Sequence, residues 1–372
     1  MLFLKIDSIR LINFRNYYDI SLELNENINI FIGKNAQGKT NLLEAIYMCA
    51  EGKSFRTSRD RELINLNKNE AYIGAKVKLD GIDRLIEIKL KRDGAKRIKI
   101  NRVELKNLRE LHSGLIVVIF SPDDLKIVKE GPGERRNFLD NVISQIKPVY
   151  RYNINKYNKV LFQRNNLLRT DKLNAQTKSL LEIFDSQLIK IGKEIILTRA
   201  EFIEKFSPIA EKNHARLTTG REKLVLKYNP SVKFSNKDAI ENSFLEELNK
   251  NLEKDLKTGN TSIGPHRDDI QFDLDGLNAR VFASQGQQRT IVLSIKLSEV
   301  EIIKRERNLY PILLLDDVFS ELDEDRRWYL INSFKDIQTI ITSADISNID
   351  RISGVRRTLF YIEKGKIRRV KG

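Results

Sequence analysis

Cysteine and histidine are scarce in this sequence. Cys49 is the only cysteine, and the 372 residues include 3 histidines. One cysteine cannot form an internal disulfide, and so few sulfur and imidazole groups argue against a zinc site. This usage favours a protein of the reducing cytoplasm.

Long apolar runs are also missing. No segment approaches the ~18 consecutive apolar residues that a membrane span requires. The first apolar stretch is interrupted by Lys5, Asp7 and Arg10, which leaves no core for a signal peptide. We therefore expect a cytoplasmic protein with no membrane partner.

Acidic side chains are fewer than basic ones in this sequence. The chain has 66 Lys and Arg residues against 51 Asp and Glu, which gives a net charge of +15 and a pI near 9.6. Hydrophobic residues make up 41%, enough to bury a substantial core. An excess of positive charge on a chain with a real core favours an anionic partner, most often nucleic acid.

A glycine-rich loop lies between an apolar segment and a helical pattern. Residues 28–40 read INIFIGKNAQGKT, and residues 33–40 match G-x-x-x-x-G-K-[ST] in the strand-to-helix setting that this motif requires. Such glycines let backbone N–H groups surround a polyphosphate, and the positive end of the helix adds attraction. The alternative is a glycine turn with a chance lysine. The predicted residues for ATP are Gly33, Lys34, Asn35, Ala36, Gln37, Gly38, Lys39 and Thr40, of which Lys39 reaches the phosphates and Thr40 holds Mg²⁺.

A second apolar segment ends in two carboxylates. Residues 312–317 read ILLLDD, which is typical of a buried parallel strand. Asp316 is predicted to contact Mg²⁺ through water, and Asp317 to orient or activate the attacking water. Two carboxylates after a strand can also cap a helix. Because the phosphate loop requires a metal partner, we predict Lys39, Asp316 and Asp317 as the catalytic residues.

A second anion site is predicted where a later helix begins. Residues 284–290 read SQGQQRT. Ser284 is a good N-cap, and Gly286 exposes backbone N–H groups at the positive end of the helix. N-capped helices are common, so the segment is a weak indication when it is considered alone.

A basic hairpin is predicted at residues 85–100, LIEIKLKRDGAKRIKI. Apolar and charged residues alternate, and Asp93-Gly94 supplies the turn. A basic strand face can lie along a nucleic-acid backbone. The alternative is an ordinary solvated sheet face. The predicted DNA-binding residues are Lys89, Lys91, Lys96, Arg97 and Lys99.

The order of these segments resembles the head of an ABC-type ATPase. The phosphate loop is followed by S-x-G-Q, by the Asp-Asp strand and by SELD at residues 320–323. In that family the S-x-G-Q segment of one subunit contacts the γ-phosphate that the other subunit's phosphate loop holds. The resemblance therefore implies a head-to-tail dimer around two nucleotides, with Ser284, Gly286 and Gln287 as further ATP-binding residues.

Within these ATPases the sequence resembles the RecF family over nearly its whole length. Several of the segments that carry the resemblance do not occur in transporter ATPases. They are IRLINFRNY (9–17), GKNAQGKTNLLEAIY (33–47), GKSFRT (52–57), FSPDDL (120–125), GPGERRNFLD (131–140), SIGPHRDD (262–269), SQGQQR (284–289) and LLLDDVFSELD (313–323).

The resemblance implies an α/β fold, an ABC-type P-loop ATPase head with a mixed sheet and flanking helices, plus a helical arm lobe. We expect the head in residues 1–115 and 218–372 and the arm in residues 116–217. The arm carries an apolar seam at helical spacing, formed by Leu181, Phe184, Leu188, Ile191 and Ile195.

The resemblance also implies a function. ATP would drive dimerisation into a clamp on DNA at gaps or single-strand/duplex junctions, and the protein would cooperate with RecR and RecO to load RecA. Arg15 resembles the arginine that SMC and Rad50-like heads place against the nucleotide.

The sequence departs from other ABC-type heads at three points. No histidine follows the predicted strand at 339–342, where Thr342 and Ser343 stand instead. The usual switch glutamine is not obvious, and residues 121–124 occupy its expected place. The second carboxylate is Asp317, which has a shorter reach than glutamate. We therefore expect slow, switch-like ATP hydrolysis.

Two other functions would share parts of this sequence pattern. A transporter-type ATPase would power a membrane partner, but the basic charge, the absent histidine and the RecF-like segments argue against it. A nuclease-associated ATPase of the same head family would need an appended nuclease domain or a metal cluster, and the sequence contains neither.

Overall fold

The structure is a computed structural model that describes residues 2–106, 111, 114–170, 175–333, 337–345 and 357–370. These residues form strands and helices in alternation. The strands are β1 (Leu4–Phe14), β2 (Tyr17–Glu23), β3 (Ile28–Ile32), β4 (Glu70–Leu79), β5 (Ile82–Lys91), β6 (Arg97–Ile100), β7 (Val103–Glu104), β8 (Val117–Phe120), β9 (Leu224–Asn229), β10 (Asp269–Leu274), β11 (Leu277–Asn278), β12 (Ile312–Asp316), β13 (Thr339–Ser343), β14 (Arg357–Glu363) and β15 (Lys366–Val370). The helices are α1 (Lys39–Glu51), α2 (Lys126–Lys129), α3 (Pro132–Ile146), α4 (Pro148–Leu168), α5 (Ala175–Leu217), α6 (Ile240–Lys250), α7 (Leu252–Thr258), α8 (Ala279–Phe282), α9 (Gln285–Arg307) and α10 (Glu324–Ser333).

Contacts divide the chain into two compact units. The sheet unit comprises Met1–Asp124 and Glu299–Gly372, and the helical unit comprises Leu125–Ser298. The first division lies close to the predicted one at residue 116. The second differs, because residues 218–298, expected in the head, group with the helical unit. The reason is that β9 pairs with β10 and packs against α5.

A mostly parallel sheet of the sheet unit contains the predicted nucleotide-binding strands. Its order is β15-β14-β3-β13-β12-β8, and only β15 runs antiparallel to its neighbour. Every residue of β3, β12 and β13 is buried, as their apolar runs predict for a sheet covered on both faces. Since carboxyl ends of parallel strands share one edge, the residues after β3 and at the ends of β12 and β13 lie together.

The second sheet of this unit is antiparallel, in the order β2-β1-β4-β5-β6-β7. The predicted hairpin is confirmed, because β5 and β6 pair antiparallel with Lys89 opposite Arg97. Helix α1 contacts β4 of this sheet and β12 and β13 of the parallel sheet. Its side chains from Leu42 to Glu51 are therefore buried.

The helical unit is built on the long helix α5. Helix α4 packs against it, as does α6. Four seam residues, Leu181, Leu188, Ile191 and Ile195, are buried as predicted, while Phe184 is half-buried. A separate core joins Ile189 and Ile196 of α5 to Phe244 of α6. None of the helices in the described part of the chain has the length and apolar character to cross a bilayer.

Candidate nucleotide site

The loop between β3 and α1 is shaped by its two glycines. A Cβ atom at Gly33 would collide with the backbone carbonyl oxygen of Ile362 in β14. Gly38 has φ of 118°, in the region that L side chains rarely adopt. These constraints explain why the motif needs glycine at both positions, since the loop must turn tightly against β14 and then enter α1.

Lys39 folds back over this loop. Its ammonium group donates hydrogen bonds to the carbonyl oxygens of Gly33 at 2.5 Å and Lys34 at 3.1 Å. Burial lowers the pKa of Lys39, while the nearby carboxylates of Asp317 and Asp316 act in the opposite direction. The cation is thus held at the centre of the loop, where an anion would be bound.

The loop and the carboxylate strand meet at Asp316. Its Oδ1 atom accepts hydrogen bonds from the hydroxyls of Thr40 at 3.0 Å and Thr342 at 2.8 Å. Burial raises the pKa of Asp316, opposed by these two hydrogen bonds. The structure therefore brings together the two predicted Mg²⁺ ligands, and the hydroxyl of Thr342 bonds to the same carboxylate.

Asp317 has an unusual conformation beside this cluster. Its φ is 54°, in the left-handed region, and its N–H donates to the hydroxyl of Thr342 at 3.0 Å. Its Oδ1 atom is buried and has no hydrogen-bond partner among the described residues. A buried carboxylate oxygen without a partner is costly unless a ligand or water completes it.

The residues at this edge fit ATP with Mg²⁺. Mg²⁺ is bound through one or two carboxylates together with phosphate oxygens and waters, and Thr40 and Asp316 supply oxygen ligands of this kind. Lys39 supplies positive charge for phosphates. The described residues include no group of three or more His, Cys, Asp or Glu side chains able to hold a metal without a nucleotide.

Three successive residues after β1 hold the phosphate loop and the helix α1 that follows it. Arg15 donates to both carboxylate oxygens of Glu44 in α1, at 2.9 and 2.8 Å. The Asn16 amide donates to the carbonyl oxygen of Gln37 at 2.8 Å, and the Tyr17 hydroxyl to that of Gly38 at 2.8 Å. Of these residues only Arg15 is predicted from the sequence.

Arg15 also lines a cavity next to the loop. The cavity has a volume of about 680 Å³ and is bounded by Ala36, Gln37, Asn41 and Lys364 among others. The predicted contact of Arg15 with nucleotide stays a prediction, and its guanidinium is already paired with Glu44. Asn16, Tyr17 and Glu44 belong to RecF-like segments, and that membership is the only sequence signal that could have identified them.

The segment SQGQQRT begins a helix, as predicted. The Ser284 N–H donates to the Gln287 side-chain oxygen at 2.8 Å, and the Gln287 N–H donates back to the Ser284 hydroxyl at 3.3 Å. Ser284 and Gly286 are exposed. This reciprocal cap leaves the first turn of α9 open to solvent.

Gln287 is held by Glu222, which is held in turn by His214. Neither residue was predicted from the sequence. The Gln287 side-chain amide donates to Glu222 at 3.0 Å, and the other oxygen of Glu222 lies 3.1 Å from His214 Nε2. His214 is buried and its Nδ1 lies 3.0 Å from the Ser294 hydroxyl of α9. The S-x-G-Q turn is therefore tied to the end of α5.

The predicted basic face of the hairpin is partly neutralised. Lys89 and Lys91 both contact Glu70 on the neighbouring strand, at 2.7 and 3.2 Å, and Lys96 contacts Asp60 at 3.1 Å. Arg97 and Lys99 are exposed and form no ion pair within the described part of the chain. Glu70 and Asp60 are distant in sequence, so only strand pairing and loop packing reveal this neutralisation.

Two of the three departures from other ABC-type heads, at Ser343 and at residues 121–124, lie at the carboxyl edge of the parallel sheet. The Ser343 hydroxyl donates to the carbonyl oxygen of Asp345 at 2.7 Å. The Ser121 N–H donates to the Asp124 carboxylate at 2.6 Å, just after β8. Because β8 pairs with β12 in parallel, Ser121 follows a strand that ends beside Asp316.

Comparison with known proteins identifies the family. The RecF/RecN/SMC N terminal domain matches residues 5–360. "DNA replication and repair protein RecF" of Alkaliphilus oremlandii is 46% identical over 365 residues, covering 97% of this chain and 99% of that protein. The protein of the same description from Clostridium botulinum strain Eklund 17B is 46% identical over 362 residues, with the same coverage. The chain belongs to the RecF family.

Solved structures agree with this membership. "Structure of the recombination mediator protein RecF-ATP in RecFOR pathway" superimposes with a TM-score of 0.92 at 37% identity, covering 99% of this chain and 98% of that one. A Pyrococcus furiosus Smc head gives a TM-score of 0.56 at 16% identity, covering 99% of this chain and 96% of that one. The expected ABC-type ATPase head fold, related to SMC heads, is confirmed.

Two RecF-like segments of the helical unit serve its fold. Arg135 is buried and pairs with both oxygens of Asp269 at 2.7 and 3.0 Å. Arg136 donates to the carbonyl oxygen of Asp268 at 2.7 Å. His266 Nδ1 lies 2.9 Å from the Tyr157 hydroxyl and Nε2 lies 2.9 Å from the Thr261 carbonyl oxygen. These contacts support a structural interpretation of His266.

Proposed function

We propose that this RecF-family chain is an ATP-dependent DNA-binding protein of recombinational repair and replication restart. ATP binding drives head-to-tail dimerisation on DNA at gaps or single-strand/duplex junctions, and slow hydrolysis resets the dimer. Acting in the cytoplasm with RecR and RecO, the protein helps to load RecA. The RecFOR pathway named for the ATP-bound relative supports these partners.

One observation carries the nucleotide part of this proposal. Residues from α1, β12 and β13 converge at one edge of the sheet, where the hydroxyls of Thr40 and Thr342 both donate to Asp316. A buried oxygen of Asp317 without a partner lies in the same cluster. A hydroxyl, two carboxylates and an enclosed ammonium group form the set that binds and cleaves a nucleoside triphosphate.

Each residue of the proposed site would have a separate role in ATP binding and hydrolysis. Bound ATP supplies a phosphoanhydride bond, and Mg²⁺ supplies positive charge for the phosphates. Lys39 would neutralise phosphate charge, while Thr40 and Asp316 would hold the metal directly or through water. Asp317 would orient the attacking water and accept its proton. An aspartate reaches less far than the glutamate of many relatives, so we expect weak ATPase activity that DNA stimulates.

Dimerisation would use the exposed first turn of α9. Ser284, Gly286 and Gln287 would contact the γ-phosphate that the phosphate loop of a second copy holds. Glu222 and His214 would keep Gln287 in position for this contact. The exposure of Ser284 and Gly286 supports the proposal, because a partner can reach this turn, in which Ser284 and Gln287 cap each other.

Sedimentation with ATP and gapped duplex DNA tests the proposal. Lys39→Ala removes the phosphate contact, and we expect it to abolish both ATP binding and ATP-dependent dimers. Ser284→Arg is the matched variant, because it leaves the phosphate loop intact. It should bind ATP as a monomer but fail to dimerise. Normal dimerisation by Lys39→Ala would refute the phosphate-loop assignment, and loss of monomer binding in Ser284→Arg would refute the contact between subunits.

A further inference from the structure

Helix α4 of the helical unit has an unusual composition. Its 21 residues, PVYRYNINKYNKVLFQRNNLL, contain no aspartate or glutamate. They include four basic side chains and five asparagines, and the flanking residues Lys147 and Arg169 are also basic. In a chain with 51 acidic residues, a helix of this length without a carboxylate forms a local surface of one charge sign.

The two faces of α4 are clearly separated. Tyr150, Tyr157, Val160, Arg164 and Leu168 are buried. The opposite face carries a row with successive spacings of 3, 4, 3 and 4, which is the spacing of one helix face. This exposed face of α4 consists of Tyr152, Asn155, Lys159, Phe162 and Asn166, with Lys156 and Gln163 beside it.

Two aromatic rings on this face are open to solvent. Tyr152 is 46% exposed and Phe162 is 63% exposed. Ten residues of α-helix separate them by roughly 15 Å. Lys156 and Lys159 lie between them in sequence, and both are exposed.

Carboxylates contact the other side of the helix. The Tyr150 hydroxyl donates to Asp140, and the buried guanidinium of Arg164 pairs with Asp185 and Asp255. These contacts place negative charge under the buried face. On the exposed face, the lysines and the aromatic rings are accessible to an external partner.

The charge and the ring spacing favour a single-stranded nucleic acid over a protein. Exposed aromatic rings provide stacking platforms for unpaired bases, lysines attract the phosphates, and amides can bond to base edges. An apolar protein partner would favour a continuous aliphatic stripe, whereas this face alternates rings with lysine and asparagine.

We propose that the exposed face of α4 binds single-stranded DNA, with Tyr152 and Phe162 stacking on bases and Lys156 and Lys159 contacting phosphates. This inference rests on the DNA-binding function proposed above and deepens it by naming the surface that holds the unpaired strand of a gap. It requires neither ATP nor dimerisation.

Tryptophan fluorescence gives a direct test. Phe162→Trp places a reporter on the proposed face, and Ile183→Trp, at a site 51% exposed on α5, is the matched control. Added oligothymidine should quench Phe162→Trp and leave Ile183→Trp unchanged, after subtraction of the signal from Trp328. Equal responses of the two variants would overturn the proposal.

Binding measurements complete the test. Tyr152→Ala and Phe162→Ala should each weaken oligothymidine binding about tenfold without ATP, with duplex affinity and ATP binding unchanged. Unchanged oligothymidine affinity would overturn the proposal, as would equal losses for single strand and duplex. Repeating the assay in Lys39→Ala separates the two hypotheses, since binding through α4 should persist there even if ATP-dependent dimerisation is lost or was never present.

Discussion

At the scale of single residues, the nucleotide site depends on contacts that its motif does not contain. Lys39, Thr40 and Asp316 belong to recognisable segments, but the loop that presents them is held by Asn16 and Tyr17 from the other sheet. Their hydrogen bonds to the carbonyl oxygens of Gln37 and Gly38 fix the loop from outside. Preorganisation of this kind lowers the cost of binding a ligand.

The hydroxyl of Tyr17 should matter for ATP affinity. Tyr17→Phe removes the 2.8 Å hydrogen bond to Gly38 but keeps the buried ring. A lost neutral hydrogen bond costs about 1 kcal/mol, so we expect roughly fivefold weaker ATP binding and a slightly lower Tm. Equilibrium ATP titration measures this. Tyr361→Phe, at a site 43% exposed, is the control, and an equal loss there would contradict the prediction.

His266 should make stability depend on pH. Burial lowers the pKa of His266 from 6.5 to about 4, so the folded chain keeps it neutral while the unfolded chain takes up a proton below pH 6.5. The contribution to stability is complete above pH 6.5 and is lost as pH falls toward 4. Between pH 7.5 and 5 the loss is about 2 kcal/mol.

Urea unfolding at the two pH values measures this loss. His266→Gln keeps one acceptor for Tyr157 and one donor for Thr261 but cannot titrate. The difference in unfolding free energy between wild type and variant should therefore shrink by about 2 kcal/mol from pH 7.5 to pH 5. A constant difference would show that His266 does not titrate differently in the two states.

At the scale of elements, strand pairing determines which basic side chains of the β5–β6 hairpin form ion pairs and which remain available for the proposed contacts with DNA phosphates. Lys89 and Lys91 share Glu70 across the β4–β5 pairing. Arg97 and Lys99 on β6 form no ion pair within the described residues, although Glu87 and Glu104 stand opposite Lys99 in the register. Of the two hairpin strands, β6 therefore carries the basic side chains that have no ion-pair partner among the described residues.

Replacement of Arg97 and Lys99 should weaken the binding of duplex DNA. Arg97→Ala with Lys99→Ala removes two phosphate contacts and should reduce the slope of log affinity against log salt by about 2. Lys89→Ala with Lys91→Ala is the control that removes the same number of charges beside Glu70. Fluorescence anisotropy at several salt concentrations measures both slopes, and a larger effect of the control would contradict this assignment.

At the scale of the whole molecule, the net charge of +15 favours attraction to an anionic partner such as DNA. The charge is distributed over both units, with Arg97 and Lys99 in the sheet unit and Lys156 and Lys159 in the helical unit. In the proposed function, the first surface would contact duplex DNA and the second would contact single-stranded DNA. Each surface would act through counterion release.

Binding to gapped DNA should therefore be strongly salt-dependent. Raising salt from about 50 to about 200 mM should weaken affinity on the order of 100-fold or more, as expected for at least about four phosphate contacts. ATP binding to the free protein, which uses an enclosed site, should change far less. A flat response of DNA affinity to salt would remove the electrostatic basis of DNA binding.

Local sequence was sufficient to predict the elements that are determined by neighbouring residues. A tight phosphate-binding turn needs glycines at set positions, a buried strand needs an apolar run, and an N-cap needs a serine. The loop at Gly33–Thr40, the strand ending in Asp316 and the helix start after Ser284 could thus be predicted from neighbouring residues. The family resemblance extended this to the ATPase head fold.

Contacts between distant residues required the folded chain. Thr40 reaches Asp316 across 276 positions, and Glu70 neutralises two lysines through strand pairing. Residues 218–298 join the helical unit because β9, which pairs with β10, packs against α5. The exposed face of α4 could likewise be distinguished from its buried face only after packing against α5 was known. Such contacts depend on strand order, register and burial, which arise when the whole chain folds and which no short segment encodes.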